Sequence, residues 1–140
     1  MPEITAFAPC RISFAGGGTD LPVYACYYTG AVLSAAVDLG ATAAARRRPD
    51  GAVSLTLDDY GIREHFPGPA AMPAEVSGPT SLVSALVKTI FPEGGVDVRV
   101  RSGIPAGSGL GTSGAVGVAT AFALLRLRGD DTCLLYTSDA

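Results

Sequence analysis

The residues best suited to chemistry run Pro105-Ala106-Gly107-Ser108-Gly109-Leu110-Gly111-Thr112-Ser113-Gly114. Glycine at every second position lets successive backbone N–H groups turn toward one anion. Residues 112–128 then read as a helix closed by Gly129. A helix start adds unpaired amides and the positive end of a dipole. Thr112 and Ser113 bring hydroxyls to the same spot, and one of them suits Mg²⁺ beside bound phosphate. This is the chemistry of a phosphate cradle. A Walker A loop needs Gly-Lys-Ser/Thr, and the single lysine, Lys88, lies elsewhere. G-x-G-x-x-G fits Gly109, Gly111 and Gly114. The strand before it ends near Arg101, too far back for a dinucleotide turn, and no second strand with a terminal acid follows. A capped helix after a flexible loop would use the same glycines. Pro105, Leu110, Thr112 and Ser113 favour the cradle.

A second glycine loop lies near the N-terminus, in Ala8-Pro9-Cys10-Arg11-Ile12-Ser13-Phe14-Ala15-Gly16-Gly17-Gly18-Thr19-Asp20-Leu21-Pro22. A strand delivers Arg11, and the loop delivers Asp20. A guanidinium can stabilise charge in transfer, and a carboxylate can accept two hydrogen bonds from sugar hydroxyls. Taken alone, the same residues fit a glycine turn with a surface arginine and a capping aspartate.

The elements that must position these loops follow from local pattern. Residues 4–8 and 11–14 form one extended stretch broken at Pro9, which belongs at a bulge or an edge. Residues 23–28 make a short helical turn. Residues 31–38 and 41–47 read as two strands. Pro49-Asp50-Gly51 is turn chemistry, and period-two alternation over 53–57 completes a hairpin with the strand before it. Residues 61–66 add a strand, and 67–79 a Pro/Gly-rich loop. Leu82, Val83, Leu86, Val87 and Ile90 have helical spacing over 80–91, stopped by Pro92. Val96, Val98 and Val100 alternate with charged residues in a half-exposed strand. The order predicts an α+β layer with helices on one face.

Composition narrows the function. The chain has 140 residues, 48% of them hydrophobic and 16% charged, which predicts one globular domain. A net charge of −3 offers no footprint for nucleic acid or an anionic membrane, so neither is expected as a partner. No apolar stretch is long enough for a transmembrane helix. Three cysteines, Cys10, Cys26 and Cys133, fit neither a zinc site nor a disulfide framework and point to a reducing, cytoplasmic setting. With one histidine, His65, a histidine triad or metal site has little to build on. Arg46-Arg47-Arg48 reads as a solvated face at a hairpin tip, and Asp58-Asp59 as a loop acid pair. Tyr24, Tyr27 and Tyr28 either line a site or pack beneath the first loop.

The string from Pro105 to Gly114 resembles the second signature of the GHMP kinases, Pro-x-Gly-x-Gly-Leu-Gly-Ser/Thr-Ser followed by a small residue. The first loop is similar to their first signature, with Arg11, Thr19 and Asp20 in frame. Gly17 and Gly18 stand where galactokinases carry Glu and His, which argues against galactose. The Gly-Gly-Gly-Thr-Asp form is similar to the D-glycero-D-manno-heptose 7-phosphate kinase branch. The resemblance implies a two-layer α+β fold of the kind described for a ribosomal-protein domain 2. It also implies ATP and Mg²⁺ as cofactors. The acceptor would be a sugar or sugar phosphate, with fucose, galactose or mevalonate as alternatives. By that resemblance Pro105, Gly107, Ser108, Gly109, Leu110, Gly111, Thr112 and Ser113 hold the nucleotide, and Ser113 ligates the metal. Arg11 acts in catalysis, and Gly17, Gly18, Thr19 and Asp20 hold the acceptor. The expected organisation is an incomplete N-terminal kinase domain over residues 1–131 and a tail of doubtful origin over 132–140. The second domain and the catalytic base are then missing, and the chain alone is inactive, at most a nucleotide-binding fragment. An open apolar face is expected on the valine strand and the helix over 112–128.

Overall fold

The computed structural model describes residues 2–73, 78–105 and 108–130. Five strands form one sheet: β1 (Glu3–Ala15), β2 (Leu33–Arg47), β3 (Val53–Leu57), β4 (Ile62–Phe66) and β5 (Val96–Arg101). Their spatial order is β1-β2-β5-β3-β4. Among the described residues the α-helices are α1 (Pro22–Ala25), α2 (Ser81–Ile90) and α3 (Thr112–Arg128). Single 3-10 turns occupy Asp58–Tyr60 and Pro69–Ala71.

Period-two alternation sends one set of side chains to a single sheet face. Ala6, Ala8, Ala41, Ala43, Ala45, Leu55 and Val98 are all buried there. α3 packs on β1 and β2 through its own small residues, with Ala115, Ala119 and Ala123 buried. Alanine facing alanine lets the helix axis approach the sheet closely. α2 packs beside α3 and contributes Val83 and Val87 to the same core. The result is the expected two-layer α+β arrangement, with helices on one face.

Three expectations change. The two strands expected over 31–38 and 41–47 are one strand, β2, which begins at Leu33, because β1 pairs with it along its length. The break shows instead as a register shift: Pro9 pairs with Gly40 and Arg11 with Ala36, so Val37 to Leu39 bulge opposite Cys10. Pro9 therefore does sit at a bulge of an edge strand. Next, β2 and β3 do not form a hairpin. β5 inserts between them, antiparallel to β2 and parallel to β3. Its buried valines need neighbours on both sides, which an edge position would not supply. Finally, the apolar face does not lie on β5 and α3, whose inward residues are covered. Most of the exposed large apolar residues lie on the β1–β2 ribbon and on or just after α1, including Phe14 (65% exposed), Leu33 and Tyr27, with Val118 the exposed one on α3.

The arginine triplet is a set of fasteners rather than a free solvated face. Arg46 and Arg48 both reach Asp97 of β5, at 2.7 and 2.8 Å, and Arg48 also pairs with Asp50 at 2.5 Å. Arg47 lies over the Phe91 ring. Burial pushes the Asp97 carboxyl upward, but hydrogen bonds from Arg48 and Arg46 outweigh it and hold it below its ordinary value. A carboxyl depressed on folding stabilises above its unfolded pKa and stops doing so as pH falls through its folded one. Asp97→Asn is therefore expected to destabilise the chain by about 1 kcal/mol at pH 7. The gap to wild type should close in denaturant titrations taken progressively below pH 4. A gap that persists unchanged at low pH would show that Asp97 acts through shape alone.

Candidate functional site

The bulge in the β1–β2 ribbon places Arg11 beside the second glycine loop. The Arg11 N–H donates to the Leu110 carbonyl at 3.2 Å, a direct tie between the two loops. The Arg11 side chain is exposed and makes no ion pair with a described residue. A strand thus fixes its backbone while its guanidinium stays available.

The first loop is a folded turn rather than a slack connection. The Thr19 N–H and hydroxyl both donate to the Gly16 carbonyl, at 3.0 and 2.7 Å. The Thr19 hydroxyl oxygen also accepts from the Ala31 N–H at 3.1 Å. Only glycine fits at position 16: φ is +78°, and an added Cβ would lie 1.8 Å from the Ala31 carbonyl oxygen. Thr19 thus spends its hydroxyl on closing the loop. Gly17, Gly18 and Asp20 lie on the outside of this turn, and the Asp20 carboxylate makes no hydrogen bond with a described residue.

At the second loop, Gly111 is the N-cap of α3 in the left-handed conformation, φ 76° and ψ 29°, and no side chain caps the helix. The amides of Thr112, Ser113 and Gly114 therefore point outward with no partner inside the helix. Ser108 and Thr112 place their hydroxyl oxygens 3.4 Å apart. Ser108, Gly109, Gly111, Thr112 and Ser113 all line one cavity of about 570 Å³. Leu110 turns the other way and packs against the core, and Pro105 is exposed outside the cavity. Gly107 lies outside the described residues, as do residues 132–140.

The rest of the cavity wall carries no local sequence signal. Leu82 of α2, Val100 of β5 and Tyr60 of the 3-10 turn give it apolar sides, while Asp59 and Ser102 line it near the loop. Burial drives the Asp59 carboxyl upward, but hydrogen bonds from Ser102 and Gly103 prevail and hold it below its ordinary value. These residues come from separated segments, so no local pattern announces them. The acid pair over 58–59 does sit in a turn, as expected. The rings of Tyr24 and Tyr28 meet at a tilt of 39°, centroids 5.1 Å apart, away from this cavity. Cys10 is buried and Cys26 exposed, both as free thiols. His65 shares a hydrogen bond with Ser54 at 3.0 Å. Among the described residues no group of three His, Cys, Asp or Glu side chains is placed to hold a metal. No helix among them is long and apolar enough to cross a membrane.

Comparison with known proteins agrees with this architecture. Residues 80–134 match the family model of the GHMP kinases N terminal domain. The chain is 31% identical over 140 aligned residues to the bifunctional fucokinase/GDP-fucose pyrophosphorylase of Arabidopsis thaliana, covering 88% of this chain and 13% of that protein. It is also 31% identical over 131 residues to the D-glycero-alpha-D-manno-heptose 7-phosphate kinase of Campylobacter jejuni, covering 88% of this chain and 38% of the relative. Among solved structures, the D-glycero-D-manno-heptose 1-phosphate kinase from Bacteriodes thetaiotaomicron superposes with a TM-score of 0.82 at 24% identity, over 97% of this chain and 45% of that one. The chain spans less than half the length of each of these proteins. The chain thus matches the GHMP kinases N terminal domain in sequence over residues 80–134, and it shares its fold with the solved heptose phosphate kinase.

Proposed function

We propose that this chain is the nucleotide-holding domain of an ATP-dependent sugar kinase, over residues 1–131, and that the whole enzyme transfers the γ-phosphoryl group to a hydroxyl of a phosphorylated heptose. The observation that carries the reading is the uncapped start of α3 opening into a cavity with apolar walls. Helix amides and the hydroxyls of Ser108, Thr112 and Ser113 suit the phosphates, and Leu82, Val100 and Tyr60 suit a flat base. With the Thr112 and Ser113 hydroxyls lining the cavity at the helix start, the residues present suit a Mg²⁺ ion carried in by the phosphates, with Ser113 as its protein ligand. That ion would neutralise charge on the transferring phosphoryl group.

In the proposed reaction Arg11 stabilises the same charge from the β1 side, and Gly17, Gly18, Thr19 and Asp20 present the acceptor. Thr19 does so by shaping the loop, and Asp20 by accepting from sugar hydroxyls. Support for heptose phosphate is the Campylobacter relative together with the Gly-Gly-Gly-Thr-Asp loop. The Arabidopsis relative favours fucose as the second reading. An acceptor panel scored by ADP release from a whole protein carrying this domain separates them. Heptose phosphate is expected to give the highest kcat/KM, and fucose doing so would replace the first reading by the second.

The nucleotide reading is tested on this chain by calorimetric titration with Mg-ATP. Saturable binding is expected, with affinity about tenfold weaker in Ser113→Ala, the size of one lost hydrogen bond to a charged group. No binding by either protein, with both melting cooperatively, would overturn the reading.

A further inference from the structure

The acid pair over 58–59 is absorbed neither by the fold nor by the proposed roles, and its two members do different things. Asp58 pairs with Arg99 of β5 at 2.7 Å, side by side with the sheet. Asp59 reaches past the end of β5. One carboxylate oxygen accepts from the Ser102 N–H at 2.5 Å and the Ser102 hydroxyl at 2.9 Å, and the other accepts from the Gly103 N–H at 3.1 Å. Two consecutive amides can converge on one carboxylate only if the chain bends sharply. Gly103 supplies the bend, with φ at 62° and open space around it. The Ser102 hydroxyl oxygen in turn accepts from the Ile104 N–H at 3.3 Å, and Ile104 is buried in the core. The chain leaving β5 is thus fastened at three successive residues, immediately before the glycine loop. Asp59 and Ser102 also line the cavity into which Thr112 and Ser113 open.

We infer that Asp59 is a positioning residue for the phosphate loop: it anchors the loop's entry to the 3-10 turn, so that the cavity wall and the α3 start hold a fixed relation. The inference rests on the nucleotide reading given above. A carboxylate is suited to the task, because its two oxygens accept from several donors at once where a neutral side chain of this size accepts at one. The anchor acts through the backbone, so Asp59 itself need not touch nucleotide. It also acts against electrostatics, since a bare acid in the cavity wall would repel phosphate.

The test uses Asp59→Ala, Asp59→Asn and Asp58→Asn in this chain. Amide hydrogen exchange at Ser102 and Gly103 and calorimetric titration with Mg-ATP are read together with thermal melts. Asp59→Ala is expected to speed exchange at both amides at least tenfold and to raise the Mg-ATP Kd about tenfold, with the melt shifted by only a few degrees. Asp59→Asn, which retains one acceptor oxygen, should fall between it and wild type. Asp58→Asn removes the other fastening of the same turn and should leave Kd within twofold. A Kd unchanged in both Asp59 variants overturns the inference. So does a tighter Kd, the mark of a repelling charge removed, or an equal loss in Asp58→Asn, the mark of general loosening. If Asp59→Ala does not fold, Asp59→Asn decides by the same criteria. If the wild-type chain itself takes up no Mg-ATP, the nucleotide reading fails and Asp59's role fails with it. Wild-type binding with unaffected Asp59 variants removes the inference alone.

Discussion

Phe91→Ala is expected to lower the unfolding free energy of this chain by about 3–5 kcal/mol in a urea titration. The ring is fully buried at the end of α2, where the Phe91 N–H still donates to the Val87 carbonyl at 2.8 Å. Its neighbours explain the size of the effect. The sheet face under the helices is built mostly from alanines and valines, which are too short to swing into the space a lost ring would leave. The cavity term is then added nearly whole to the transfer term. Against a typical domain stability of about 5–15 kcal/mol, the variant approaches its unfolding threshold. Arg47→Ala separates packing from the cation over the ring, 5.0 Å from its centroid, and should cost about 1 kcal/mol or less. Phe91 also sits near the far end of α3, where the Arg128 guanidinium donates to the Ile90 carbonyl at 3.3 Å. The start of α3 lies about 25 Å away along the helix. The folded fraction of Phe91→Ala should therefore keep its Mg-ATP affinity. A loss below about 1 kcal/mol, well under the range for a buried aromatic, would show that the core closes over the space the ring leaves.

The same contrast between near and far explains what the amino-acid sequence revealed. α3 was readable to its ends because Gly111 and Gly129 bracket a stretch that closes on alanines, leucines and arginines, and both glycines adopt the left-handed conformation at its caps. α2 was readable within a residue at each end from its apolar spacing and the proline after it. The valine strand announced itself by alternation. What sat beside it did not. Pairing of β5 with β2 and β3 depends on buried valines and on Asp97 meeting Arg46 and Arg48, residues about fifty positions apart. The glycine loops were legible because their chemistry is local. The cavity wall was not, because Tyr60, Leu82, Val100 and Ser102 meet only after the sheet has formed. Asp59 belongs to that second class: beside Asp58 it reads as turn polarity, and only the path of Ser102 and Gly103 gives it separate work.

Arg11→Ala is expected to slow phosphoryl transfer by about 10²–10³-fold in kcat, the loss seen when one preorganised donor to developing charge is removed. The substitution isolates the side chain. Alanine keeps the backbone N–H that donates to the Leu110 carbonyl, so the tie between the two loops survives. It also keeps β1, whose pairing of residue 11 with Ala36 depends on backbone alone. Nothing described holds the guanidinium by an ion pair, so its removal orphans no buried acid. The expected loss then falls on the transition state, where charge spreads over the transferring group, and Mg-ATP affinity should fall less than in Ser113→Ala. Arg11→Lys restores the charge without the planar fork and should recover only part of the rate. The measurement is ADP release from a whole protein carrying this domain, at saturating Mg-ATP and sugar phosphate, with Kd from calorimetry alongside. A kcat within about threefold of wild type in Arg11→Ala, far short of what loss of a preorganised donor produces, would remove Arg11 from the reaction. The tie from its backbone to Leu110 would then be its whole contribution.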